Sequence, residues 1–334
     1  MKDKSTFSAV LSDFLACPIC KAHPLDLREE GLVCPICNRS YPFQDGIFHM
    51  LPDELRKGSA QDEEMNVSEP KLCNADAFDA KTIDSWGLGQ KNAEEGIYYD
   101  RAGMVPDSYT ETYERRFAFH LLGKRLKGCF FLDIGAGTLR FALKAREYGC
   151  GFAFGIDLRP GRLKYGLLKA KKKGIDNIIP VIADARFLPF QDNVFDNVMC
   201  IEVIEHITRN PKGVFREIYR VLKDGGVAVV NVWNALTSWN NPDRKNLGAR
   251  TYIREGDSYY RYYYPWEFYR LYTSIGFRGR MCGAKIPKSD ALAARLGIGK
   301  DELEGRLALE KYLSNLAPRL SALLGELIFV RLVK

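Results

Sequence analysis

Four cysteines near the N-terminus stand in two identically spelled pairs, Cys17-Pro-Ile-Cys20 and Cys34-Pro-Ile-Cys37, with 13 residues between the pairs. A two-residue gap lets one tight turn aim two thiolates at the same point, and Zn²⁺ takes four such ligands in a tetrahedron. Pro18 and Pro35 restrict the turns that would present them. A disulfide pair or free buried thiols are the competing chemistry. Asp3, Lys4 and Asp13 interrupt any apolar run at the N-terminus, so no secretory signal is expected. A cytoplasmic chain keeps its thiols reduced, which favours a structural metal. His23 and His49 are further ligand types, but four cysteines already complete a shell. A unit this small buries little surface, and a bound structural zinc contributes ~10–16 kcal/mol. Cys73, Cys129, Cys150, Cys200 and Cys282 are scattered and read as core or surface thiols.

A second set of chemical residues recurs further on, each at the end of a short apolar run. Asp133-Ile134-Gly135-Ala136-Gly137 follows the first run, Asp157-Leu158 the second, Asp184-Ala185 the third and Glu202 the fourth. The glycines permit a tight turn and close approach of a ligand to the backbone amides. Asp157 stands twenty residues beyond Gly137. A carboxylate there can accept both hydroxyls of a ribose, each bond to the charged group worth ~1.5–3 kcal/mol. Asp184 and Ala185 form a polar end suited to an adenine amine. A nicotinamide dinucleotide would ask for a third glycine where Arg140 stands.

The elements that must position these residues follow from periodicity. Phe7, Val10, Leu11, Phe14 and Leu15 form one apolar helical face ahead of the first cysteine pair. Residues 53–78 are polar and aperiodic and read as a linker, and 79–108 as a loop or lid. Residues 109–127 have helical spacing, with Tyr113, Phe117, His120 and Leu121 on one half-buried side. From Cys129 apolar strands alternate with helices, the pattern of a parallel sheet covered on both faces. Residues 276–286 and 325–334 add two strand-like stretches. The expected fold is α/β, a doubly wound, seven-stranded, mostly parallel sheet preceded by a small zinc ribbon. Such sheets bind ligands outside the carboxyl ends of their strands, where the acids fall.

Two resemblances sharpen this. The order LSDFLACPICKAHPLDL, GLVCPICNRSYPFQDGIFHML over about residues 7–52 resembles the small zinc-ribbon activators that partner tRNA, rRNA and release-factor methyltransferases. In that family the ribbon does no chemistry; it stabilises and activates its partner. The array DIGAG, GIDLR, ADARFLPFQDNVFDNVMCIEVIEHI, FREIYRVLKDGGVAVVNVW resembles the class I S-adenosylmethionine-dependent methyltransferases, type 11-like, across residues 129–334. The resemblance implies that Asp133, Gly135, Ala136 and Gly137 frame the methionine end of the cofactor. It implies that Asp157 with Leu158 holds the ribose, that Asp184 and Ala185 meet adenine, and that Glu202 lines the pocket near the methyl group. The implied domains are 1–52, a linker and lid segment 53–108, and a catalytic domain 109–334 with a substrate lid at about 234–266.

The acceptor is less determined. No Asn-Pro-Pro-aromatic element follows the fourth strand, which disfavours methylation of exocyclic base amines, and no Pro-Cys nucleophile stands there for cytosine chemistry. Glu202 and His206 are the candidates for a catalytic role, although a helix-start histidine with a structural hydrogen bond accounts equally for His206. Residues 234–266 interleave aromatics with cations, and Arg254, Tyr260, Arg261 and Tyr263 are candidate substrate contacts. Residues 159–173 hold seven cations and no acid. A solvated helix face and a packed lid explain the same residues. The YYRYYYPWEF stretch looks similar to tRNA wobble-uridine carboxymethyl methyltransferases, so RNA, tRNA first, is the expected partner. A small-molecule methyltransferase with a structural ribbon and a non-catalytic cofactor- or RNA-binding protein are the alternatives. The net charge of +7 permits a polyanion without requiring one. Hydrophobic content of 46% and charged content of 27% fit a globular chain, and no apolar run reaches the ~20 residues of a membrane span, so no membrane partner is expected. No obligate protein partner is implied; the ribbon is expected to contact its own catalytic domain.

Overall fold

The computed structural model describes residues 11–51, 109–123, 126–207, 209–237, 251–253 and 259–334. The expected linker and lid at 53–108, Arg254 and much of the 234–266 segment lie outside the described residues.

The chain enters as a helical turn at 11–14. It continues through the two cysteine turns into an antiparallel meander: β1 (Asp26–Arg28), β2 (Gly31–Val33), β3 (Ser40–Gln44) and β4 (Ile47–His49). Helix α1 (Tyr109–Leu122) stops short of the expected 127, at Gly123 with positive φ. Then come β5 (Phe130–Ile134), α2 (Arg140–Glu147), β6 (Phe152–Asp157), α3 (Pro160–Lys172), β7 (Ile178–Ile182), β8 (Phe195–Cys200), α4 (Pro211–Val221) and β9 (Leu222–Trp233). A small hairpin, β10 (Thr251–Ile253) with β11 (Tyr259–Arg261), precedes α5 (Pro265–Thr273) and β12 (Arg278–Ala284). Three helices, α6 (Ser289–Arg295), α7 (Glu302–Leu316) and α8 (Pro318–Leu324), lead to β13 (Leu327–Val333).

The sheet order β7-β6-β5-β8-β9-β13-β12 gives the seven strands expected, parallel from β7 to β9 and closed by antiparallel β13 and β12. The sheet does not end at β7. Strand β4 pairs beside it in parallel, Phe48 opposite Val181 and His49 opposite Ile182, so the ribbon's strands extend one continuous sheet of eleven. The ribbon that precedes the larger domain in sequence is therefore also built onto the edge of its sheet.

Alternation along the strands divides the core. Leu132, Phe154, Val198, Val230 and Ile328 face α4, α5 and the ribbon, while Phe131, Ala153, Met199, Val229 and Phe329 face α1, α2, α3 and α7. Phe14 sits in the first of these cores, its ring 4.6 Å from Phe130, 5.0 Å from Phe154 and 5.6 Å from Phe195. Backbone bonds reinforce the junction: Ala16 N–H donates to Pro189 O and Gln191 N–H to Phe14 O. Lys21 reaches across from the first cysteine turn, donating to Leu188 O at 3.1 Å and pairing with Glu217 at 2.9 Å. His120 is exposed rather than half-buried: its ring lies 6.4 Å from that of Phe117 but on the solvent side of it, while Phe117 and Leu122 go inward. The three helices between β12 and β13 were not foreseen. They hang on Glu310, whose carboxylate accepts from Ile286 N–H at 2.8 Å, Lys285 N–H at 2.9 Å, Ser289 Oγ at 2.6 Å and Arg306 Nε at 3.1 Å.

Candidate cofactor site and metal centre

Each cysteine pair closes on itself as a knuckle. Lys21 N–H donates to Cys17 O and Asn38 N–H to Cys34 O, both at 2.9 Å. Lys21 and Asn38 both take positive φ, which tightens each turn behind its second thiol. The four Sγ atoms lie within 4.8 Å of one another, with Cys17 to Cys37 at 3.6 Å and Cys20 to Cys34 at 3.5 Å. Thiolates on one tetrahedral zinc, each 2.3 Å from it, stand ~3.8 Å apart, so the donor set and spacing fit the metal. Tyr41 Oη lies 3.0 Å from Cys17 Sγ and is placed to donate to a thiolate, an outer contact that steadies the ligand. His23 and His49 are not in the cluster.

At the far end of β5 the chain turns through Gly135 (φ 68°) and Gly137 (φ 51°). A Cβ on Gly135 would stand 2.2 Å from Val203 Cγ2, so the turn is packed shut on that side. A Cβ on Gly137 would meet nothing within 4 Å, so this glycine faces open space. Asp157, at the end of β6, holds the loop from across: its Oδ2 accepts from Gly137 N–H at 2.8 Å and its Oδ1 from Arg159 N–H at 2.9 Å. Asp133 is 1% exposed and accepts from Ala142 N–H, tying β5 to the start of α2. Burial raises its pKa to about 7, against the pull of that amide and of Arg140. Ala136 is buried and donates its N–H to Ile156 O, and Leu158 and Ala185 are half-buried beside the loop ends.

Asp184 stands just past the end of β7, as its place after the third apolar run leads one to expect. It is 3% exposed, and Arg186 occupies its carboxylate with a guanidinium contact at 2.6 Å and a backbone N–H at 2.8 Å. As placed, it stiffens the turn after β7. Glu202 follows β8 in the left-handed region (φ 57°), pinned by Asn231 Oδ1 on its N–H at 2.7 Å, with Arg140 at 3.7 Å from its carboxylate. His206 ends the 3-10 turn Ile204–His206, its N–H donating to Val203 O. Cys200 is a buried thiol pushed up by burial, a core residue as expected. Of the substrate candidates, Tyr263 is 1% exposed and packs against Phe268 and under the Arg261 guanidinium. Asn234 pairs with it in a β-bridge and draws it into the core. For Tyr260 the backbone alone is described, on β11.

Residues 132–230 match the family described as Methyltransferase domain, and residues 10–46 match the Trm112p-like protein family. The chain joins a methyltransferase domain to a Trm112p-like one. Sterol 24-C-methyltransferase ERG6B of Gibberella zeae is 30% identical over 156 residues, 45% of this chain and 41% of that protein. Demethylmenaquinone methyltransferase of Listeria welshimeri is 33% identical over 130 residues, 38% of this chain and 54% of that protein. The chain thus spans about half the length of these relatives or less. Among solved structures, a complex of the Haloferax volcanii Trm112 methyltransferase activator with a methyltransferase superposes with a TM-score of 0.47 at 18% identity, covering 76% of this chain and 96% of that one.

The residues of the methyltransferase domain fit the S-adenosylmethionine that its family uses. Gly137 leaves room beside the loop. Asp157 spends one lone pair of each oxygen on an amide and keeps the others for hydroxyl donors. Bound there, the cofactor would supply an electrophilic methyl group on a sulfonium.

The domain also gathers residues that sequence reasoning missed. Glu205 and Glu114 are both 1% exposed, and Lys285 pairs with Glu114. Burial pulls the Lys285 ammonium down, but Glu114 and Glu202 outweigh it and hold it above the usual lysine range. Glu205 could have been read from its three-residue spacing to Glu202; nothing local links Glu114 to Lys285.

Proposed function

We propose that this chain transfers a methyl group from S-adenosylmethionine, and that its ribbon is a built-in stabilising domain. The observation that carries the reading is the continuity of the sheet: β4 of the Trm112p-like unit extends the sheet whose strand ends hold Gly135, Gly137, Asp157 and Glu202. In this reading the Gly135-Ala136-Gly137 turn frames the methionine end, with Asp133 holding the turn from below. Asp157 with Leu158 binds the ribose, Ala185 borders the adenine, and Glu202 lines the methyl side. Asp184 acts by positioning the loop that carries Ala185.

For the acceptor we favour RNA, tRNA first, met in the cytoplasm. Support comes from the seven cations of residues 159–173, of which Lys171, Lys172 and Lys173 are exposed. Helix α3 packs beside β4, and its Lys164 pairs with Asp45 of the ribbon at 3.4 Å, so these cations adjoin the ribbon. A small-molecule acceptor is the second reading. The burial of Tyr262 and Tyr263 favours it, since the described part of the lid turns those rings inward. RNA binding measured against salt separates the two. A logarithmic slope equivalent to several released counterions supports RNA; absence of binding at low salt excludes it.

A further inference from the structure

Three carboxyl side chains lie close enough for their charges to act on one another: Glu114 from α1, Glu202 after β8 and Glu205 on the 204–206 turn, with α1 and that turn both packed on β9. Two have cations at hand, Lys285 on Glu114 and Arg140 at 3.7 Å from Glu202. Glu205 differs. It is 1% exposed, and among the described residues neither of its oxygens has a hydrogen-bond partner. The fully buried amide nitrogen of Asn231 and one oxygen of Glu114 also have none. An unsatisfied buried polar group costs stability, and a carboxyl beside two others costs more, so such a group calls for a ligand. Burial, then the charges of Glu202 and Glu114, push the Glu205 carboxyl well up, and an arriving cation would reverse this.

The chemistry of that ligand is restricted. An anion would join three carboxyl groups. A metal ion needs ligand atoms converging on one point, and among the described residues the four cysteines form the one group of three or more placed to hold a metal ion. An organic ammonium is larger and tolerates spread carboxylates. The domain already seats one here: Lys285 Nζ lies 5.3 Å from the centre of the Trp233 ring as well as on Glu114. Trp233 in turn meets the Tyr262 ring edge-on at 6.3 Å. Strand β11 packs over the turn that carries Glu205.

We propose that this cluster recognises an amine as the methyl acceptor, with Glu205 pairing with its ammonium form and Glu202 and Glu114 reinforcing the negative field. The bound ammonium passes one proton to the Glu205 carboxylate; the freed nitrogen lone pair then takes the methyl group as the sulfonium S–CH3 bond breaks and S-adenosylhomocysteine leaves. The proposal rests on methyl transfer as the activity but not on RNA as the acceptor; it argues against a carboxylate acceptor.

The test uses the full zinc-loaded chain saturated with S-adenosylhomocysteine. Ethanolamine, histamine, phenethylamine and spermidine are titrated by thermal shift and calorimetry, beside glycolate, succinate, Mg²⁺ and bulk tRNA. At least one amine is expected to bind, and Glu205→Gln is expected to weaken it at least tenfold while leaving S-adenosylhomocysteine affinity and the ligand-free melting temperature unchanged or higher. If tRNA instead competes with the amine, and loses affinity in Glu205→Gln, the amine is one carried on RNA. Binding of a carboxylate, Mg²⁺ binding abolished by Glu205→Gln, equal amine binding by the variant, or no amine binding overturns the proposal. Should Glu205→Gln not fold, the preference of the unaltered protein for amines over matched carboxylates decides. Failure of S-adenosylhomocysteine to bind at all would overturn the methyltransferase reading instead.

Discussion

Asp133 shows how a single residue links the loop to the stability of the molecule. Its carboxyl is buried, with a pKa raised from 3.8 to about 7. The folded state therefore holds the proton more tightly than the unfolded chain. The stability this contributes is complete below pH ~3.8 and is lost as pH rises through about 7, a span on the order of 4 kcal/mol. We expect melting temperature to fall across that interval and Asp133→Asn, which keeps an acceptor for Ala142 N–H, to flatten the fall. Parallel curves for the two proteins would refute the assignment. The strand-end acids were legible because they recur at fixed places after apolar runs. What was not legible was their engagement. Nothing in ADARF announces that Arg186 folds back on Asp184, and nothing in YYRYYYPW announces that Tyr262 and Tyr263 point inward while Trp266 is exposed.

At the scale of elements, the seven strands were readable because buried parallel strands are continuous apolar runs. The knuckles were readable because metal-ligand spacing is local. The pairing of β4 with β7 was not, since it joins segments more than a hundred residues apart through backbone bonds that leave no mark on residue type. Helices α6 to α8 escaped because their polarity is mixed; Leu316, Leu320, Leu323 and Leu324 are exposed while Leu307 and Leu309 are buried. Phe14 tests the junction. Its ring lies among Phe130, Phe154 and Phe195 of the larger domain. Phe14→Ala should cost ~3–5 kcal/mol of global stability, seen as a shift of one denaturant transition. A change confined to a separate ribbon transition would show that the cores are independent.

For the whole molecule, the continuous sheet makes ribbon and catalytic domain one folding unit. Chelation of zinc should therefore lower the melting temperature of the entire chain in a single step, with S-adenosylmethionine affinity lost alongside. Two transitions, with the second unmoved, would count against a stabilising ribbon. Among the described residues no helix is long and apolar enough to cross a membrane. The contact between the ribbon and the larger domain is secured by Lys21, Phe14 and β4. The most direct measurement is transfer of labelled methyl from S-adenosylmethionine by the full zinc-loaded chain to bulk tRNA, rRNA, protein and small-molecule extracts, with Asp157→Ala in parallel. We predict label in one acceptor class, and at least tenfold weaker cofactor binding with matching loss of transfer in the variant. Cofactor affinity unchanged in Asp157→Ala, or no label in any class, would contradict the account.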